Sequence, residues 1–101
     1  MGIEELLSGT INYIDEIYPA MPSMLQNDKK IVINELINKF AQIALVANDK
    51  ANDNYDINEF NEKLNLVLSA LENDDYSLVA DLLQYEIRPL LVFWSEANET
   101  I

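Results

Sequence analysis

The sequence predicts an all-α fold: a small, mostly antiparallel four-helix bundle closed by a proline-kinked central C-terminal helix. Three observations carry that expectation. Apolar residues recur at spacings of three and four over four successive stretches, which is the period of one helix face. The breaks between the stretches are short and rich in Pro, Asn and Asp, residues that stop helices and make turns. Helices on short links pack mostly as antiparallel neighbours. The 101 residues suffice for one domain, 1–101, around a single core.

The first helix is expected from Ile3 to Tyr18. Ile3, Leu6, Leu7, Ile11, Ile14, Ile17 and Tyr18 form its apolar face, with Glu4, Glu5, Ser8, Asn12, Asp15 and Glu16 opposite. Gly9 lowers helix propensity without interrupting the pattern. Pro19 and Pro22 end the helix, since each lacks a backbone donor and restricts the residue before it. Ser23-Met24-Leu25-Gln26 fits a capping box, in which hydroxyl and amide reciprocally satisfy free N–H groups. Asn27-Asp28 offers a second start. The second helix begins at one or the other and runs to about Ala47, with Val32, Ile33, Leu36, Ile37, Phe40, Ile43, Ala44 and Ala47 facing the core.

Asn48 to Tyr55 is dense in Asn and Asp and reads as a loop. Asp56-Ile57-Asn58-Glu59 forms an acidic cap for a third helix, whose apolar face is Ile57, Phe60, Leu64, Val67, Leu68 and Leu71. Asn73-Asp74-Asp75 is a tight turn, and Asp74 or Asp75 caps the fourth helix. That helix carries Tyr76, Val79, Ala80, Leu82, Leu83, Ile87, Leu90, Leu91, Phe93 and Trp94 on a broad arc, with Leu78, Tyr85 and Val92 as a second strip. A helix apolar nearly all round belongs among several neighbours. Pro89 interrupts it, because its ring cannot accommodate the carbonyl of Tyr85. The string Asp-Leu-Leu-x-Tyr-Glu-Ile-x-Pro-Leu-Leu, Asp81 to Leu91, resembles the closing helix of small all-helical proteins of low-GC bacteria. That resemblance covers about a fifth of the chain and implies no activity.

The formal charge of -12 arises from 18 acidic and 6 basic residues. Such a surface repels phosphate backbones and anionic lipid, which argues against nucleic-acid and membrane partners and favours basic proteins or cations. No Cys means no disulfide or thiol chemistry, and no His removes the commonest general base and transition-metal ligand together. Met1 to Glu5 lacks the basic start of a signal peptide, and the longest apolar run, Pro89 to Trp94, is far too short to span a bilayer. A cytoplasmic location is expected.

Little chemistry survives inspection. A calcium loop over Asn48–Glu59 would place Lys50 in a ligand position and no Gly at the sharp turn. A di-iron bundle needs Glu-x-x-His pairs, and there is no His. Glu35, Glu62 and Glu72 lie on polar faces, so a magnesium site has no focus. With Gly2 and Gly9 alone there is no phosphate loop. No catalytic residue, metal ligand or cofactor is expected. Glu86 is the one acid inside an apolar arc, beside Val79, Leu82 and Phe93; it is either a rim residue or a polar handle in a pocket. Arg88 reads as half of a surface ion pair.

Apolar residues off the core faces point to contact. Leu78, Tyr85 and Val92 on the fourth helix, with Ile31, Leu45 and Val46 on the second, would make a partner surface if contiguous. Met21 and Met24 in the proline-rich link add adaptable thioethers. The expected function is a non-enzymatic protein-interaction module, acting as a homodimer or as an accessory, chaperone-like partner. The alternative is a bundle that binds a small ligand or cation through Glu86 and nearby tyrosines.

Overall fold

The computed structural model describes residues 2–50 and 56–99, with side chains of 48–50 and 97–99 left aside. Its elements are α1 (Ile3–Ile17), a 3-10 turn (Met21–Ser23), α2 (Gln26–Lys50), α3 (Ile57–Glu72), α4 (Tyr76–Leu82), a π-helical turn (Leu83–Ile87) and α5 (Arg88–Glu99). α4, the π turn and α5 follow without a gap and form one rod, the fourth helix of an all-α bundle. No strand occurs among the described residues. α2, at 25 residues, is about 38 Å long, close to the 41 Å long axis of the molecule.

Packing places the helices in a ring. α1 lies against α2 and α5, while α3 lies against α2, α4 and the π turn. The fourth helix therefore sits between α1 and α3, diagonally across from α2. Two pairs fix its direction: Asp15 meets Arg88 and Tyr18 meets Tyr85, so α1 ascends as the fourth helix descends.

One cluster of buried residues draws on every helix. α1 inserts Ile3, Leu7, Ile14 and Ile17 at alternating spacings of four and three, and buried Thr10 completes the line. α2 inserts Ile33, Leu36, Phe40, Ile43 and Ala47; α3 inserts Phe60, Val67 and Ala70. Phe60 stands edge-on to Phe40, with ring centroids 5.9 Å apart, and lies 5.2 Å from the Trp94 ring. Aromatic contacts of this kind contribute about 0.5–1.5 kcal/mol each beyond burial, so this trio ties α2, α3 and α5 together.

The turn into the fourth helix is closed by hydrogen bonds alone. The Asp75 N–H donates to the Ala70 carbonyl at 2.9 Å and the Asp74 N–H to that of Leu71 at 3.0 Å, the two bonds of a Schellman motif. That motif needs a left-handed residue, and Asp74 supplies it with φ 54°. The Asp75 side chain then accepts from Leu78 N–H, so Asp75 is the cap. Asp56 caps α3 in the same way through Glu59 N–H at 3.0 Å.

Boundaries differ from expectation at both ends of α2. Ser23 is held inside the 3-10 turn, where its N–H bonds the Ala20 carbonyl, and Met24 is extended. The capping box is therefore not formed. The first helical bond is from Lys29 N–H to the Leu25 carbonyl, so α2 starts at Gln26, between the two expected starts. It continues through Lys50, which makes the beginning of the expected 48–55 loop helical; residues 51–55 of that loop, and with them most of the rejected calcium stretch, lie outside the described residues.

Pro89 acts through the π turn. Arg88 N–H bonds the Leu83 carbonyl, five residues back, and the wider turn lies directly before the proline, which has no N–H to give to Tyr85 and needs room for its ring. The insertion also keeps Val79, Leu83, Ile87 and Leu91, all at spacing four and all buried, on one face. In a regular α-helix that spacing drifts about 40° per step; the wide turn removes much of the drift.

Candidate functional site

The same insertion turns later residues out of the arc that a regular helix predicts. Phe93 was expected on the buried arc and is 59% exposed, whereas Trp94 beside it is fully buried. Glu86 is likewise exposed and not set in an apolar wall. It accepts from Lys63 Nζ at 3.0 Å, and Lys63 also lies 3.8 Å from Glu59. The ion pair matches the rim position and leaves no interior pocket built on this carboxylate.

The outer face of the fourth helix presents Leu78, Tyr85 and Phe93 exposed, Pro89 exposed between them and Val92 half-buried. Ion pairs border it on both sides. Toward α3 stands Lys63–Glu86; toward α1, Arg88 donates to both oxygens of Asp15 at 2.6 and 3.0 Å. That forked pair holds the Asp15 carboxyl below the usual carboxylate range, chiefly through the hydrogen bond from Arg88, and raises Arg88 in turn. Tyr18 stands edge-on to Tyr85 at 6.3 Å, their hydroxyls 3.5 Å apart. This hydrogen bond is the main cause that pushes the Tyr18 phenol upward, and Asp81 adds to it.

Two hollows open along this face. One, of about 230 Å³, is walled by Tyr18, Pro19 and Pro22 from the link and by Ser77, Ala80 and Asp81 from the helix. The other, of about 280 Å³, lies between Glu59 and Lys63 of α3 and Tyr85, Glu86, Pro89 and Phe93 of the fourth helix. Tyr85 borders the second and, through Tyr18, the first.

The remaining candidates do not join this face. Ile31 and Leu45 are exposed and Val46 half-buried on α2, the helix diagonally across the ring from the fourth. Met21 is 2% exposed, not a surface thioether: the 3-10 turn folds it inward beside Tyr76, Ser77 and Ala80. Met24 is half-buried against the core. On the α1–α2 side, burial and then a hydrogen bond to Glu35 push the Tyr13 phenol up to about 12, and Lys39 lies 5.4 Å above its ring.

Sequence reasoning missed Phe93 and Pro89 as surface residues. Pro89 was the available signal, because a proline deep in a helix implies a local change of period. Among the described residues no three His, Cys, Asp or Glu side chains gather where they could hold a metal ion. No helix among them is long and apolar enough to cross a membrane. No curated protein and no solved structure matches the chain. A family model does match, over residues 3–97, from the first residue of α1 to well within α5, and the chain therefore belongs to the family described as a domain of unknown function, DUF8042.

Proposed function

We propose that the chain is a non-enzymatic protein-interaction module that docks through the outer face of its fourth helix. The observation that carries this reading is the placement of Leu78, Tyr85, Pro89 and Phe93 on one exposed helix face between two ion pairs. A solvated face has no use for two aromatic rings, a leucine and a proline in line, whereas helix-in-groove contacts are anchored by such residues at spacings of three and four. The absence of His and Cys from the sequence fits a role in contact and not in catalysis. A cytoplasmic setting belongs to the same proposal, as does a low-GC bacterial source, the latter from the likeness of Asp81–Leu91 to proteins of such bacteria.

The test compares immobilised wild type with Tyr85→Asp and Val92→Asp in a lysate of the source organism. The expected outcome is a protein retained by wild type and lost from both variants, whose melting temperatures stay near that of wild type. Equal retention by all three, or none by wild type together with a monomeric mass in native mass spectrometry, would overturn the proposal.

A further inference from the structure

The charge around the outer face restricts what can lie on it. The face follows the rod from Ser77 to Phe93, about 24 Å of helix. Acids line it: Asp81 in the first hollow, Glu59 and Glu86 in the second, and Glu96 one heptad beyond Pro89. The two cations beside it are already engaged, Arg88 by Asp15 and Lys63 by two glutamates at once. Lys29, near the first hollow, lies over the Tyr76 ring at 5.6 Å. The face therefore combines an apolar ridge with an excess of acid: Asp81 in the first hollow, two glutamates against the single Lys63 in the second, and Glu96 beyond them.

A second copy of this chain would bring the same carboxylates, and a charge of -12, against it. Like charges across an interface oppose both encounter and binding. We infer that the occupant is a basic amphipathic helix of another protein. Its apolar stripe lies on Leu78, Tyr85, Pro89 and Phe93, with the ridges of each helix seated in the grooves of the other. Lysine or arginine stems cover the apolar walls of the two hollows while their cations reach Asp81 and the Glu59–Glu86 pair. This inference rests on the protein-contact reading above and adds the chemistry of the partner.

The probe is a synthetic amphipathic helix of about 18 residues, long enough to cover the face, with leucine on one side and lysine on the other. Its glutamate counterpart and a scrambled lysine peptide of equal composition serve as controls. Each is titrated calorimetrically into the full chain, and sedimentation equilibrium reports self-association. The lysine helix binds more tightly than the scrambled and glutamate controls and loses at least about tenfold in affinity at high salt. Asp81→Asn and Tyr85→Asp each weaken it about tenfold or more, the second despite adding a negative charge, whereas Glu4→Gln at the far end of α1 changes it less than about twofold.

Equal binding of the scrambled peptide, or undiminished binding by Tyr85→Asp, would overturn the inference, because charge alone would then suffice. A wild-type dimer dissociated by Tyr85→Asp, or tight binding of the glutamate helix, would overturn the basic occupant while leaving the contact face standing. Binding of no peptide by a monomeric chain would overturn the inference as well, and the lysate comparison would then decide separately on the contact face.

Discussion

The inner and outer faces of the fourth helix are made of similar residues and meet opposite surroundings. Inside, Val79, Leu83, Ile87, Leu91 and Trp94 are closed off by α1 and α3. Outside, Leu78, Tyr85, Pro89 and Phe93 face water. Hydrophobicity alone does not separate the two sets; position around the helix does, and the π turn at Leu83–Ile87 resets it for the residues beyond. The difference teaches that burial on the inner face specifies the fold, and that apolar residues on the outer face remain available for contact.

The largest expected effect breaks the comparison if it fails. Leu83→Ala and Ile87→Ala should each lower stability by about 2–5 kcal/mol, through lost burial and the cavity left behind. Tyr85→Ala, which gives up its edge contact and its long hydroxyl contact with Tyr18, both on the exposed face, should cost under about 1 kcal/mol. Urea unfolding measures both, and equal losses on the two faces would contradict the assignment.

The turn that launches the rod gives the next effects, of opposite sign. Asp75→Ala removes the cap on Leu78 N–H and should cost about 1 kcal/mol. Asp74→Gly relieves a left-handed aspartate and should add about 1 kcal/mol, offset by any loss of its weak bond from Tyr76. Thermal melts of the two variants should move in opposite directions.

Gln84 sharpens the boundary between the faces. It sits half-buried in the π turn, and its Oε1 is buried without a hydrogen-bond partner among the described residues. Replacing a buried unsatisfied group by an apolar one of similar size removes a desolvation cost, so Gln84→Leu should be neutral or stabilising by up to about 1 kcal/mol. A loss of more than that would mean that the amide has a role of its own.

The smallest effect lies at the border with α1. Because the carboxyl of Asp15 is held below its ordinary range in the folded chain, its contribution is present above the unfolded value, near pH 4, and fades as pH falls through the lowered folded value. The stability gap between wild type and Asp15→Asn should thus be constant near neutrality, at about 0.5 kcal/mol for so exposed a pair, and close in acid. A gap that widens on acidification would show that the pair is not what stabilises this edge.

Much of this architecture is legible in the residues themselves. The three- and four-residue spacings place the inward lines of α1, α2 and α3, and short carboxylates mark the caps at Asp56 and Asp75. What escapes is whatever depends on a change of helical period or on which helices become neighbours. A regular wheel puts Phe93 and Glu86 with Val79, and only the wide turn before Pro89 moves them out. Likewise the strips on α2 and the fourth helix each read correctly as partly exposed, but nothing local says that they stand diagonally apart. Met21 fails for a related reason, since a proline-rich link can fold a side chain inward as readily as it can display it.

The adjacent pair Phe93 and Trp94 offers the most direct test of the two-faced helix. Hydroxyl-radical footprinting read by mass spectrometry reports the side-chain exposure of both in one experiment. Although an indole is the more reactive ring, Trp94 should be protected while Tyr85 and Phe93 are oxidised readily, and a bound lysine helix should then shield Tyr85 and Phe93. Oxidation of Trp94 as fast as Phe93 in the free chain would contradict the register set by the π turn, and with it the contact face.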